Sequence, residues 1–221
     1  HYRWWLTGGL VLALAAALSY YFIFAPYPPD AALPESAAIA LRWPGHQLEP
    51  IAGDTAATPA FGEHFPSLRA DWAVFREFLD SVGFRPEKAE GWLVSQNLGG
   101  GELALGAALD ARGISWPAPF PYREDTYRGQ VIYRYTLSGG RVIAAARYRN
   151  LLLLGRQPLQ VEAAGAQLKV RPASWAAGLS QRASISIQPG NLLALGTGIL
   201  ESPARRPLSH LERWCSAIEL R

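Results

Sequence analysis

The sequence predicts a single N-terminal transmembrane helix followed by an α+β body dominated by antiparallel β-strands, with a C-terminal amphipathic helix. Three observations lead there. No charged residue lies between Arg3 and Asp30. Apolar and polar side chains alternate with period two on both sides of Ser138-Gly139-Gly140, the pattern of a hairpin. The strand-like segments are joined by short turns rich in small residues. Parallel α/β architecture needs helix-length crossovers, so it is not expected.

The apolar stretch at residues 6–24 reads LTGGLVLALAAALSYYFIF. As a helix it would rise about 28 Å, close to the hydrocarbon thickness of a bilayer. Trp4 and Trp5 stand at one end and Tyr20, Tyr21 and Tyr27 at the other, an expected pair of interfacial belts. Pro26, Pro28 and Pro29 then stop the helix. Gly9, Ala13 and Ala17 recur every four residues and make a smooth stripe for contact with another membrane helix. Arg3 precedes the stretch, whereas Asp30 and Glu35 follow it. The positive-inside rule therefore places the body on the periplasmic, lumenal or other extracytoplasmic side. The competing readings are a cleaved signal peptide, with an A-x-A pattern at residues 15–17, and a buried globular helix.

Three regions follow: a membrane anchor at 1–29, a proline-rich stalk or binding arm at 30–66, and a mainly antiparallel β domain with flanking helices at 67–221. In the second region no apolar period persists, although residues 39–41 with Trp43 suit a short strand or an anchor on a partner. Leu68, Trp72, Phe75, Leu79 and Val82 recur at spacings of four and three, which predicts a helix over 67–82. Strands are expected at 92–98, 102–109, 130–137 and 141–149. Shorter ones are expected at 159–162, 167–170 and 183–188, with an apolar segment at 192–200. Ser209 and Glu212 form a capping box ahead of Leu211, Trp214, Cys215 and Ile218, predicting the last helix.

Composition bounds the chemistry. Of the 221 residues, 49% are apolar and 18% charged, enough apolar material for a core and unlike a disordered tail. Cys215 is the single cysteine, which excludes an intrachain disulfide, a four-cysteine zinc site and a CxxCH haem attachment. Gly99, Gly100 and Gly101 lack the spacing and the lysine of a phosphate-binding loop. His1, His46, His64 and His210 have no second histidine at metal-ligand spacing, so neither metal nor cofactor is expected. Cys215 suits a packing role, and Glu124-Asp125 between Arg123 and Arg128 suits a surface ion-paired loop better than acid–base machinery.

Charge is the feature that points outward. Residues 1–111 hold six Arg or Lys against twelve Asp or Glu, and residues 112–221 hold fifteen against six. Seven arginines fall between 123 and 156, interleaved with tyrosines and opposed there only by Glu124 and Asp125. Arg134, Arg141, Arg147 and Arg149 are the candidates for contact with an anion or a partner. If the strands are placed correctly, Arg147 and Arg149 share a sheet face and Arg134 approaches from the paired strand. Nucleic acid is not expected; beside a membrane anchor, anionic lipid headgroups, an acidic protein or an anionic glycan fit better.

The functional expectation is therefore a non-catalytic accessory or structural subunit of an integral-membrane protein complex. Its membrane helix and β-rich domain would do the docking. The alternatives are a membrane-tethered binding protein for an anionic glycan or lipid, and a membrane-anchored enzyme.

Overall fold

The computed structural model describes residues 11–17, 19–20, 25–43, 66–85, 90–97, 103–170, 185–188, 190–191 and 218–220. Its strands are β1 (Ala37–Trp43), β2 (Gly91–Asn97), β3 (Leu103–Asp110), β4 (Tyr122–Tyr127), β5 (Gln130–Thr136), β6 (Val142–Tyr148), β7 (Leu151–Gly155), β8 (Ile185–Ile187) and β9 (Ile218–Leu220). The helices α1 (Pro66–Ser81) and α2 (Pro158–Gln167) flank them. Among the described residues the strands form one sheet in the order β4-β5-β6-β7-β3-β2-β1-β8-β9, antiparallel at every pairing.

The sheet is buried from both sides. Val74, Phe75, Phe78 and Leu79 of α1 pack on Leu105, Ala107, Tyr135, Ile143, Leu152 and Leu154. On the other face Val161 of α2 and Leu168 just beyond it pack on Ala108, Ile132, Ala144, Ala146, Leu151 and Leu153. A central strand covered on both faces has no solvent side, which is why residues 151–154 are four consecutive leucines, all buried. Such a run carries no period that would distinguish strand from helix.

The transmembrane helix expected over 6–24 is corrected here. Among the described residues no helix is long and apolar enough to cross a membrane. Residues 11–17 and 19–20 are helical. Ala13, Ala15, Ala16 and Ala17 add little transfer energy per residue. The longer α1 carries Asp71, Arg76, Glu77 and Asp80 and is amphipathic. The single-pass localisation falls with that helix, and so does docking into an integral-membrane complex. The membrane-tethered glycan or lipid binder and the membrane-anchored enzyme lose the same support. Gly9, Trp4, Trp5 and Tyr21 lie outside the described residues; Ala13, Ala17 and Tyr20 are exposed.

Two local readings also change. The short strand expected at 159–162 is replaced by α2, and of the one expected at 167–170 Gln167 ends α2 while residues 168–170 form the turn after it. Pro158 at its first position and the reciprocal hydrogen bonds of Gln157 and Gln160 start a helix that the β-branched Val161 does not prevent. At the C-terminus Ile218, expected on a helix face, lies in β9 paired with Ile187. Residues 192–217 are outside the described set, Cys215 included, as are all four histidines.

Candidate functional site

The β4–β5 hairpin turns through Arg128 and Gly129, at φ 48° and 78°, so Tyr127 pairs with Gln130 across a two-residue turn. Positive φ at both central positions is the geometry whose twist matches that of paired strands. On its other side β5 pairs with β6 only from Thr136↔Val142 to Tyr133↔Ala145. Beyond that point β6 remains paired with β7 as far as Tyr148↔Leu151. The strands therefore separate, and a cleft of about 440 Å³ opens between them. Trp116, Val131, Tyr133 and Arg147 line it toward the α1 face; Gly129, Gln130, Tyr148 and Lys169 complete it toward the α2 face.

The electrostatics of the arginine run single out this cleft. Arg123 and Arg134 both pair with Asp125, Arg128 lies 3.1 Å from Glu162, and Arg156 lies 2.9 Å from Asp71. Arg141 pairs with Glu77, whose carboxyl is held below the usual carboxylate range, chiefly by the Ser138 hydroxyl and also by Arg141 itself. Arg149 stacks its guanidinium over the Tyr27 ring, 4.6 Å from the centroid, and donates to the Ala25 carbonyl at 2.6 Å. Arg147 donates its Nε to the Arg149 carbonyl at 3.3 Å. Among the described residues neither Arg147 nor Lys169 has a carboxylate partner.

Burial adds a third donor. The Tyr148 hydroxyl is sequestered with no hydrogen-bond partner among the described residues, and desolvation, with Tyr27 nearby, pushes its pKa up to about 12. It stays protonated across the ordinary pH range and offers a hydrogen. Gln130 is held beneath the cleft by donating to the Val161 carbonyl at 3.4 Å. Gly165 makes room for it, since a Cβ there would sit 2.5 Å from the Gln130 amide. The apolar wall is aromatic: Trp116 meets Tyr133 edge-on at 5.3 Å and Tyr135 at 5.9 Å, and buried Tyr135 meets Phe78 at a tilt, 5.1 Å between centroids.

The four candidate arginines do not form one patch. Arg134 pairs with Ala144 in the ladder and so lies on the α2 face, while Arg147 pairs with Leu152 and lies on the α1 face. Arg149 is in the β6–β7 turn at φ 50° rather than on the strand. Tyr27, expected at a membrane interface, is instead half-buried against the α2-side core beneath Arg149. Lys169, Tyr148 and Gln130 were not singled out as site residues by sequence reasoning. No local signal marks them, because only the separation of β5 from β6 brings them together. Among the described residues no cluster of three or more His, Cys, Asp or Glu is arranged to hold a metal. Comparison with known proteins finds no matching family model, no matching curated sequence and no matching solved structure.

Proposed function

We propose that this chain is a binding domain for a small organic anion, such as an aryl phosphate or aryl carboxylate, held in the cleft between β5 and β6. The supporting observation is the pair Arg147 and Lys169. Neither has a carboxylate partner among the described residues, and both line one cleft. A guanidinium fork matches a phosphate or carboxylate, an ammonium supplies a point charge, and the Tyr148 hydroxyl adds a neutral donor. Trp116, Val131 and Tyr133 offer a surface for the ring of the ligand. Among the described residues the lining contributes donors and aromatic faces, a chemistry that supports holding an anion in place.

Titration with phenyl phosphate tests this, followed by backbone amide shifts and near-ultraviolet circular dichroism. Saturable binding is expected, with shifts centred on residues 129–133 and 147–148. Arg147→Leu is expected to weaken it about tenfold or more, the loss of one charge-assisted pair. Arg141→Leu, removing an arginine already matched to Glu77, is expected to leave it within about twofold. Absence of saturable binding to the wild-type protein, or equal losses in the two variants, would overturn the assignment.

A further inference from the structure

We infer that Tyr27 is a positioning residue for the cleft, acting through Arg149 on Arg147, so that anion occupancy and closure of the segment 25–34 over the sheet are linked. The inference rests on the anion-binding reading of the cleft.

The segment 25–34 precedes β1 and is fastened at the β6–β7 turn. Asn150 grips it twice, accepting from the Tyr27 N–H at 2.7 Å and donating to the Tyr27 carbonyl at 2.9 Å. Arg149 grips it twice more, through the Tyr27 ring and the Ala25 carbonyl. Farther along, Asp30 accepts from the Trp92 indole. The turn is thus fixed from outside the hairpin that contains it. This matters because Arg149 adopts a left-handed conformation that a side chain rarely takes without support.

Arg147 depends on that turn. Its Nε donates to the carbonyl of Arg149, and among the described residues the two terminal nitrogens are left for a ligand. The direction of that carbonyl is set by the backbone of the β6–β7 turn, to which Tyr27 is tied through the Asn150 side chain and the Arg149 guanidinium. Tyr148, between them in sequence, packs with Tyr27 on the α2-side core and supplies the third donor. An anion that fixes Arg147 favours the turn conformation in which the segment is clamped. By linkage, the clamped segment favours the anion to the same degree.

The test pairs affinity with exchange. Tyr27→Leu removes the ring and is expected to weaken phenyl phosphate about fivefold, and Tyr27→Phe, which keeps the ring, to restore wild-type affinity. In the wild-type protein phenyl phosphate is expected to slow hydrogen exchange of the Tyr27 amide by a similar factor of about five. Should Tyr27→Leu fail to fold, Arg149→Gly takes its place. It keeps the carbonyl and tolerates the left-handed backbone while deleting the guanidinium, and the same loss of affinity is expected. A folded Tyr27→Leu or Arg149→Gly protein that binds as tightly as wild type, or a Tyr27 amide indifferent to bound anion, overturns the inference while leaving the cleft assignment intact. Failure of the wild-type protein to bind phenyl phosphate overturns both.

Discussion

Asp71 on α1 and Gln160 on α2 satisfy the same residue of β3 from opposite faces of the sheet. The β3–β7 ladder ends at Gly106↔Gly155, where the chain turns away into α2, and Leu105 has lost its neighbour on that side. Asp71 Oδ2 accepts from the Leu105 N–H at 2.9 Å, and Gln160 Nε2 donates to the Leu105 carbonyl at 3.1 Å. The same Gln160 accepts at its Oε1 from the Arg156 and Gln157 amides, at 2.7 Å and 3.2 Å. One side chain therefore caps α2 and closes a strand edge.

Gln160→Ala is accordingly expected to destabilise the protein by about 3 kcal/mol, because it leaves several buried or half-buried backbone groups unpaired. Gln160 is 3% exposed, so water does not replace it freely. Urea denaturation checks this: the midpoint is expected to fall with the slope unchanged.

Asp71 gives a pH dependence with a definite sign. Burial raises its pKa above 3.8, against the lowering effects of the Leu105 N–H and of Arg156. A carboxyl whose folded-state pKa lies above the unfolded value binds its proton more tightly in the folded state. Its stabilising contribution is complete below the unfolded pKa and is lost as pH rises through the folded one. Denaturation of wild type and Asp71→Asn across mildly acidic pH is expected to show the wild type gaining relative stability as pH falls toward 3.8. A flat difference would remove burial as the dominant influence on this carboxyl.

Gly165→Ala places a methyl group where the Gln130 amide lies, 2.5 Å away. Overpacking of this kind is expected to cost about 1–3 kcal/mol. Because Gln130 lines the cleft, phenyl phosphate affinity is expected to fall as well. Gly83→Ala serves as a comparison: its added Cβ meets nothing within 4 Å, though its φ of 71° carries a backbone penalty, and it is expected to leave affinity unchanged.

Local physics made part of this legible. The spacing of Trp72, Phe75 and Leu79 found α1, because it reports one buried and one freer face. The alternation through Val131, Tyr133 and Tyr135 found β5, although that strand buries Gln130 and Ile132 on one face and Tyr135 on the other and leaves Val131 exposed. It failed for β7, whose four buried leucines face two cores at once, and for β4, where Tyr122, Arg123 and Glu124 are all exposed and show no period. Over residues 6–24 an uncharged composition is needed for a membrane span but does not by itself make one, and no helix among the described residues is long and apolar enough to cross. At the cleft, the arginine run was visible while its neutralisation was not. Glu77, Glu162 and Asp71 lie far from Arg141, Arg128 and Arg156 in sequence, and only folding pairs them.

Tyr148 separates stability from binding. Its hydroxyl is buried and unpartnered among the described residues, and leaving such a group unsatisfied costs about 1–3 kcal/mol. Tyr148→Phe removes the hydroxyl and keeps the ring, so the unliganded variant is expected to be more stable by about 1 kcal/mol and to bind phenyl phosphate more weakly. Alkaline titration of phenolate absorbance offers an independent reading. Tyr135 and Tyr148 are each pushed up to about 12, chiefly by desolvation, whereas an unfolded phenol titrates near 10. Both phenols are therefore neutral in the native protein over the interval between those values. Their contribution to stability is complete below about 10 and is lost as pH rises through about 12. In the Tyr148→Phe variant this alkaline loss is expected to be shallower by one proton, while the late titration of Tyr135 persists. A variant no more stable than wild type, or a hydroxyl in the native protein that titrates near 10, would mean that Tyr148 is already partnered and is not held as a donor for an anion.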